Sequence, residues 1–229
     1  MYRKSSLRVS LRLLPIVALA SIHGLPSAFA QSSSEQMIES IIVTGTRTSG
    51  RSAINSPAPI DIISAADISN QAGGDMSDII SKMVPSYNVR ATGDAASLVR
   101  PASLRGLPTD ATLVLINGKR RHRAAVISFI GAGVFDGSQG ADVSTIPASA
   151  ISRLEVLRDG AAAQYGSDAI AGVMNFILKD DASGGLIEVK LGETYQGDGE
   201  AYQIAGNVGL PLTSDGFINT SVEYRKVEG

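Results

Sequence analysis

The stretch ISRLEVLRDGAAAQYGSDAIAGVMNFILK, Ile151 to Lys179, decides how this chain is read. Leu154, Val156 and Leu157 lie in an extended apolar run that stops at Arg158-Asp159-Gly160. A carboxylate just ahead of a helix accepts amide hydrogens that the first turn leaves unpaired. Asp159 is therefore placed to cap a short helix over 161–164. Tyr165-Gly166 closes that helix, with the glycine supplying the left-handed geometry of a C-terminal turn. Gly172 then opens a second apolar strand over 173–178. These residues give a compact β-α-β unit, and by themselves no function.

Upstream, the run 112–116 is continuously apolar and ends in Asn117-Gly118, a strong tight-turn signal. The run 98–106 reads as a further strand ending in Leu104-Arg105-Gly106. Before it, Ile60 to Ile63 is a short strand, and Ser64-Ala65-Ala66-Asp67 opens a brief helix as a capping box with Asp in the Glu position. Asp75 caps the next helix, where Met76, Ile79, Ile80 and Met83 recur at spacings of three and four and form one apolar face. Those methionines read as core. Pro85 ends the helix, and 86–97 is a polar loop containing Asn88, Arg90 and Gly93. Lys119 to Arg123 spells KRRHR, and 124–142 is a loop with four glycines and few charges. Pro147 suits the start of a short helix leading back to Ile151.

After Lys179 the texture changes. Residues 180–185 form a linker, and three alternating segments follow. Ile187, Val189 and Leu191 oppose Glu188 and Lys190; Tyr202, Ile204 and Val208 oppose Gln203, Ala205 and Asn207; Ile218, Val222 and Tyr224 oppose Asn219, Ser221 and Glu223. Loops at 196–200 and 211–216 join them. Three strands with one apolar and one polar face suit either a soluble antiparallel sheet or the first strands of a membrane barrel.

The 229 residues are 44% hydrophobic and 18% charged, a composition that folds. With no cysteine, disulfides and cysteine metal sites are excluded. Arg3, Lys4, Arg8 and Arg12 precede an apolar run over 13–22, and Ala28-Phe29-Ala30 precedes Gln31. This is the pattern of a Sec-type signal peptide over 1–30, its apolar run being shorter than the ~20 residues of a spanning helix. Its removal leaves sixteen basic against twenty-two acidic residues, a net charge of −6. That balance argues against a polyanion binder, so no nucleic-acid partner is expected. One histidine, His122, remains beyond the leader. A Cys-His pair and a histidine-rich metal cluster are excluded, and an exported hydrolase would have to use His122 as its base. Gly131-Ala132-Gly133 lacks the third glycine of a dinucleotide fingerprint and does not follow the required strand. No cofactor is expected.

Taken together, the quoted segments resemble the plug domain of TonB-dependent outer-membrane receptors. Ile151, Glu155, Val156, Leu157, Arg158, Tyr165, Gly166, Ala169, Gly172, Val173 and Asn175 fit the C-terminal plug pattern. Arg-Asp-Gly stands where many members have Arg-Gly-Pro. Leu104-Arg105-Gly106 and the run ending in Asn117-Gly118 are similar to two further plug segments. Ile41, Ile42, Val43, Thr44, Gly45 and Thr46 resemble a TonB box, a short segment that can add as a strand to another protein's sheet.

The resemblance implies an α+β plug, a small mixed sheet with short helices, followed by the first antiparallel strands of an incomplete transmembrane β-barrel. The divisions expected are a signal peptide at 1–30, an arm with the box at 31–56, the plug at 57–180 and the barrel start at 186–229. A barrel of 22 strands needs several hundred residues, so a chain ending at Gly229 reads as a fragment, a truncated reading frame or a plug used alone. The implied function is energised uptake of a scarce ligand across the cell outer membrane, with no bond made or broken. The implied partners are TonB with its inner-membrane energising complex, an extracellular ligand (siderophore, vitamin, saccharide or peptide) and outer-membrane lipid. By the same resemblance, Arg105 and Arg158 lie at the plug–barrel boundary. Ligand contacts are expected in the loops 88–97, through Asn88 and Arg90, and 121–142, through Arg121, His122 and Arg123. A free-standing periplasmic plug that binds TonB is the alternative.

Overall fold

The computed structural model describes residues 3–7, 60–71, 74–88, 99–127, 135–158, 162–193 and 200–227. Strand β1 (Arg3–Leu7) comes first, then β2 (Ile60–Ser64), α1 (Ala65–Asn70) and α2 (Met76–Met83). Next come β3 (Tyr87–Asn88), β4 (Ser103–Leu104), β5 (Thr112–Ile116), β6 (Lys119–Arg120) and β7 (Ile151–Leu157). Helix α3 (Ala162–Tyr165) and strands β8 (Gly172–Leu178), β9 (Gly184–Glu193), β10 (Ala201–Pro211) and β11 (Phe217–Val227) complete the order.

The first unit is a five-stranded mixed sheet in the order β2-β7-β8-β5-β6. β7 pairs antiparallel with β8, so α3 lies in a hairpin-like return, while β5 pairs parallel with β8. The central strands are buried on both faces, which explains their continuous apolar runs. On one face Ile68, Met76, Ile80, Leu154, Met174 and Phe176 form the larger core. On the other, Leu113, Leu115, Leu157, Ala169 and Val173 form a smaller one.

Local chemistry fixes the ends. Ser64 Oγ accepts from the Asp67 amide at 3.2 Å and Asp67 returns the bond to the Ser64 amide, so the Asp-for-Glu capping box is real. Asp75 caps α2 in the same reciprocal way with Asp78. Met76 is buried in the core and Met83 packs against it. Asn117 and Gly118 both take positive φ (48° and 74°), the geometry of a two-residue hairpin turn between β5 and β6. Asn117 Oδ1 also accepts from the Leu178 amide at 2.8 Å, tying the turn to β8.

The expected strand over 98–106 is a correction. Among the described residues only Ser103 and Leu104 pair as a strand, with β3. Pro101 has no amide hydrogen to give a ladder, the Leu104 amide is taken by Thr112 Oγ1, and Arg105 turns the chain with φ +58°. The short helix near 161–164 lies one residue later, at Ala162–Tyr165; Asp159 is outside the described residues. Gly166 takes φ +88° with ψ −171°, an extended positive-φ conformation instead of the left-handed helical one expected, and its amide bonds back to the Ala162 carbonyl.

The second unit is an antiparallel sheet in the order β1-β9-β10-β11. β1 comes from the segment read as a leader and runs along β9. The alternation expected in the three later strands holds. Glu188, Gln203, Ala205 and Asn207 are buried toward the first unit, whereas Ile187, Leu191, Ile204, Leu210, Val222 and Tyr224 are exposed on the far face.

Candidate functional site

A polar ladder crosses the plug-like sheet. Glu155, wholly buried on β7, accepts from Arg153 Nε at 2.8 Å. Asn175 on β8 donates through Nδ2 to Glu155 Oε2 at 3.5 Å and accepts from the Gly118 amide at 3.0 Å. A buried carboxylate is tolerable only with such partners. The ladder therefore locks the β5–β6 turn, β8 and β7 into one register.

The basic run after that turn is largely committed inside the fold. Arg120 pairs with Asp168 at 2.5 Å and donates to the Tyr165 carbonyl at 2.6 Å. Arg123 reaches the same carboxylate at 3.4 Å. Arg121 donates to the Asp142 carbonyl at 3.0 Å and to Thr145 Oγ1 at 2.7 Å, holding the segment that returns toward β7. Lys119 and His122 are exposed. Burial pushes the Tyr165 hydroxyl above its ordinary pKa, with the Glu155 charge adding to it.

Among the other expected site residues, Asn88 is exposed at the end of β3 and bonds to the Ser86 carbonyl at 3.3 Å. Arg90 and the six residues from Ile41 to Thr46 lie outside the described residues. Arg105 clamps the β8 entry through the Ala171 and Ile170 carbonyls at 3.1 and 2.5 Å. Arg158, at the end of β7, forms an ion pair with Asp61 on β2. Both guanidinium groups thus hold neighbouring pieces of the first unit together.

The contact between the two units runs through residues the sequence reading did not select. The turn Ala148–Ala150 sits against β10 and β11: the Ala148 amide donates to Glu223 Oε2 at 3.2 Å, and Ser149 Oγ lies 3.5 Å from the Gly206 carbonyl. Asp75 Oδ2 lies 3.0 Å from Arg100 and 3.7 Å from Arg225 of β11. Glu223 and Arg225 fall two residues apart on the polar face of β11, which is the sequence signal that could have found them. Nearby on β9, Lys190 pairs with Glu188 at 3.5 Å. Lys179, at the junction, has its pKa lowered by burial, against the opposing pull of Asp181 and Glu188.

This arrangement, a mixed-sheet core whose turn lies against the polar face of an outward-apolar antiparallel sheet, matches a known family. The match to the family described as TonB-dependent Receptor Plug Domain covers residues 52–173, more than half of the chain. The chain belongs to that family. Its plug is followed by the start of a barrel wall, β9 to β11. The chain is 35% identical over 158 residues to the "Iron-regulated outer membrane virulence protein" of Vibrio cholerae, covering 68% of this chain and 22% of that protein. It is 29% identical over 218 residues to the "Ferric enterobactin receptor" of Pseudomonas aeruginosa, covering 90% and 29%. A crystal structure of that receptor superposes with a TM-score of 0.59 at 26% identity, covering 76% of this chain and 25% of the receptor chain. A siderophore receptor of Acinetobacter baumannii superposes with a TM-score of 0.53 at 27% identity, covering 73% and 24%. The chain therefore spans about a quarter of the length of these relatives.

Proposed function

We propose that this chain is the front end of an outer-membrane receptor that takes up a ferric siderophore with energy delivered through TonB. The observation that carries the reading is the two-faced sheet β9–β11. Its polar face is buried against a plug, and its other face exposes Ile187, Leu191, Ile204, Leu210 and Val222. A soluble plug used alone has no use for that second face. Along β10 the outward residues from Tyr202 to Leu210 run about 26 Å, of the order of a barrel's apolar band. Tyr202 and Tyr224 lie at one end with ring centroids 6.0 Å apart, and Lys226 Nζ is 5.9 Å from the Tyr202 ring. Aromatic side chains beside a cation suit the membrane–water boundary.

The relatives named above are an iron-regulated outer-membrane protein, a ferric enterobactin receptor and a siderophore receptor, which favours a ferric chelate over a vitamin, saccharide or peptide. In this reading residues 1–30 are a leader that leaves on export, and residues 41–46 are the box offered to TonB at the periplasmic face. The receptor performs no covalent chemistry. Arg120, Arg121 and Arg123 support the fold through their partners, and the exposed Lys119 and His122 beside the half-exposed Arg120 and Arg123 give the basic turn its face toward an anionic ligand.

The test is growth of an iron-starved strain on single ferric siderophores with this receptor as the only uptake route. Ile42→Pro removes an amide that strand addition needs. It is expected to abolish uptake and leave surface binding of the siderophore unchanged. Undiminished uptake would sink the box assignment, and growth independent of every ferric siderophore would sink the ligand class.

A further inference from the structure

The joint between plug and wall is built from an exchange of carboxylates. Asp75 is 6% exposed and belongs to the plug, where Oδ1 caps α2 by accepting from the Asp78 amide at 3.1 Å. Its second oxygen, Oδ2, faces two guanidinium groups: Arg100 of the plug at 3.0 Å and Arg225 of the wall at 3.7 Å. Arg100 is also held by Asp78 at 2.8 Å, so it stays with the plug whatever Arg225 does. In return, the wall gives Glu223 to the plug. Pro147 precedes the Ala148–Ala150 turn, whose opening amide needs an acceptor, and Glu223 Oε2 supplies it. Glu223 and Arg225 thus grip the plug at two points from one face of β11.

We propose that these two contacts form a latch that keeps the plug seated against β10–β11, with Asp75–Arg225 as its releasable half. The buried carboxylate keeps a partner in Arg100 when Arg225 withdraws. Release therefore does not strand an unpaired charge, which is what makes most buried pairs costly to break. The Glu223–Ala148 bond is the positional half, because it ends on a backbone amide that opens a turn and has a fixed place in the plug.

The inference rests on the receptor reading, and its test separates the two. In the full-length protein in outer membranes, the latch is read by entry of a bulky hydrophilic antibiotic and by protease cleavage of the plug. Arg225→Glu sets a carboxylate against Asp75 and is expected to raise entry and cleavage on the order of tenfold, the size of a contact-pair coupling. Adding Asp75→Asn, which keeps the helix cap, removes the repulsion and is expected to restore part of the loss. Glu223→Leu is expected to loosen the plug, whereas Glu223→Gln, which keeps an acceptor for the Ala148 amide, stays near wild type.

Where Arg225→Glu lowers the amount of protein in the membrane, Arg225→Gln reads the same contact. Wild-type entry and protection in both Arg225→Gln and Glu223→Leu would overturn the latch. Failure of the unaltered protein to reach the outer membrane would sink the receptor reading instead. The Asp75/Arg225 double-mutant cycle, read by the same entry and cleavage assays on the full-length protein in outer membranes, then decides the contact, and zero coupling overturns it.

Discussion

Gly172 offers the sharpest test of the plug's packing. It opens β8 with φ +139°, a conformation that side chains rarely adopt. A Cβ there would lie 2.4 Å from the Leu157 carbonyl oxygen and 2.9 Å from Leu104 Cδ1. The leucine methyl can shift, but the carbonyl is less free to. It ends β7, which is paired with β2 on one side and β8 on the other. Gly172→Ala therefore combines backbone strain of about 1–3 kcal/mol with an overpacking cost of similar size. The total, about 2–6 kcal/mol, is a large share of the ~5–15 kcal/mol that holds a typical domain. Gly166→Ala is the control. It has φ +88° but nothing within 4 Å of an added Cβ, so only the strain remains, about 1–3 kcal/mol. Urea unfolding of the plug followed by circular dichroism reads both. Equal losses for the two variants would refute the claim that the Leu157 carbonyl, and not glycine's conformation alone, demands Gly172.

Other consequences follow from the buried polar groups. Glu155→Ala removes the buried carboxylate that accepts from Arg153 and Asn175 and is expected to cost about 1–3 kcal/mol, with Glu155→Gln retaining a good part of the stability; the urea midpoint measures both. Burial raises the pKa of Tyr87, whose hydroxyl lies 2.9 Å from Ser77 Oγ. Because the folded pKa is the higher one, this contribution is intact below the unfolded value near pH ~10 and is lost as pH rises through the folded value, at up to ~1.4 kcal/mol per pH unit. Tyr87→Phe is expected to flatten that alkaline fall in a pH series of unfolding curves. Arg158→Ala breaks a half-exposed pair with Asp61 and is expected to cost no more than ~1 kcal/mol in the same assay.

What could be read from the sequence was local. Ser64 with Asp67, Asp75 with Asp78, and Asn117-Gly118 each act within three residues, so their chemistry stands on the line of text. The two faces of β9, β10 and β11 were equally legible, because a period of two survives any arrangement of neighbours. The non-local pairings were not. Nothing near Thr112 announces that β5 lies parallel to β8, sixty residues on, or that its hydroxyl takes the Leu104 amide. The run before Arg105 looked like one strand, yet its bonds were split between a single bridge to residues 141–143, the Thr112 side chain and a two-residue ladder. The joint was hidden for the same reason. Asp75 was visible as a helix cap, but its tie to Arg225 spans about two thirds of the chain and leaves no local pattern. The family resemblance drew attention to Arg105 and Arg158; within this chain their contacts close the plug on itself.

The central claim is that this plug and its first wall strands belong to an outer-membrane receptor. An antibody against the plug, applied to fractionated cells with and without heating before electrophoresis, tests it most directly. The account predicts a band several-fold heavier than 23.8 kDa, in the outer membrane, whose mobility shifts on heating. A band near 23.8 kDa in the periplasm would contradict it and leave a free plug module in its place.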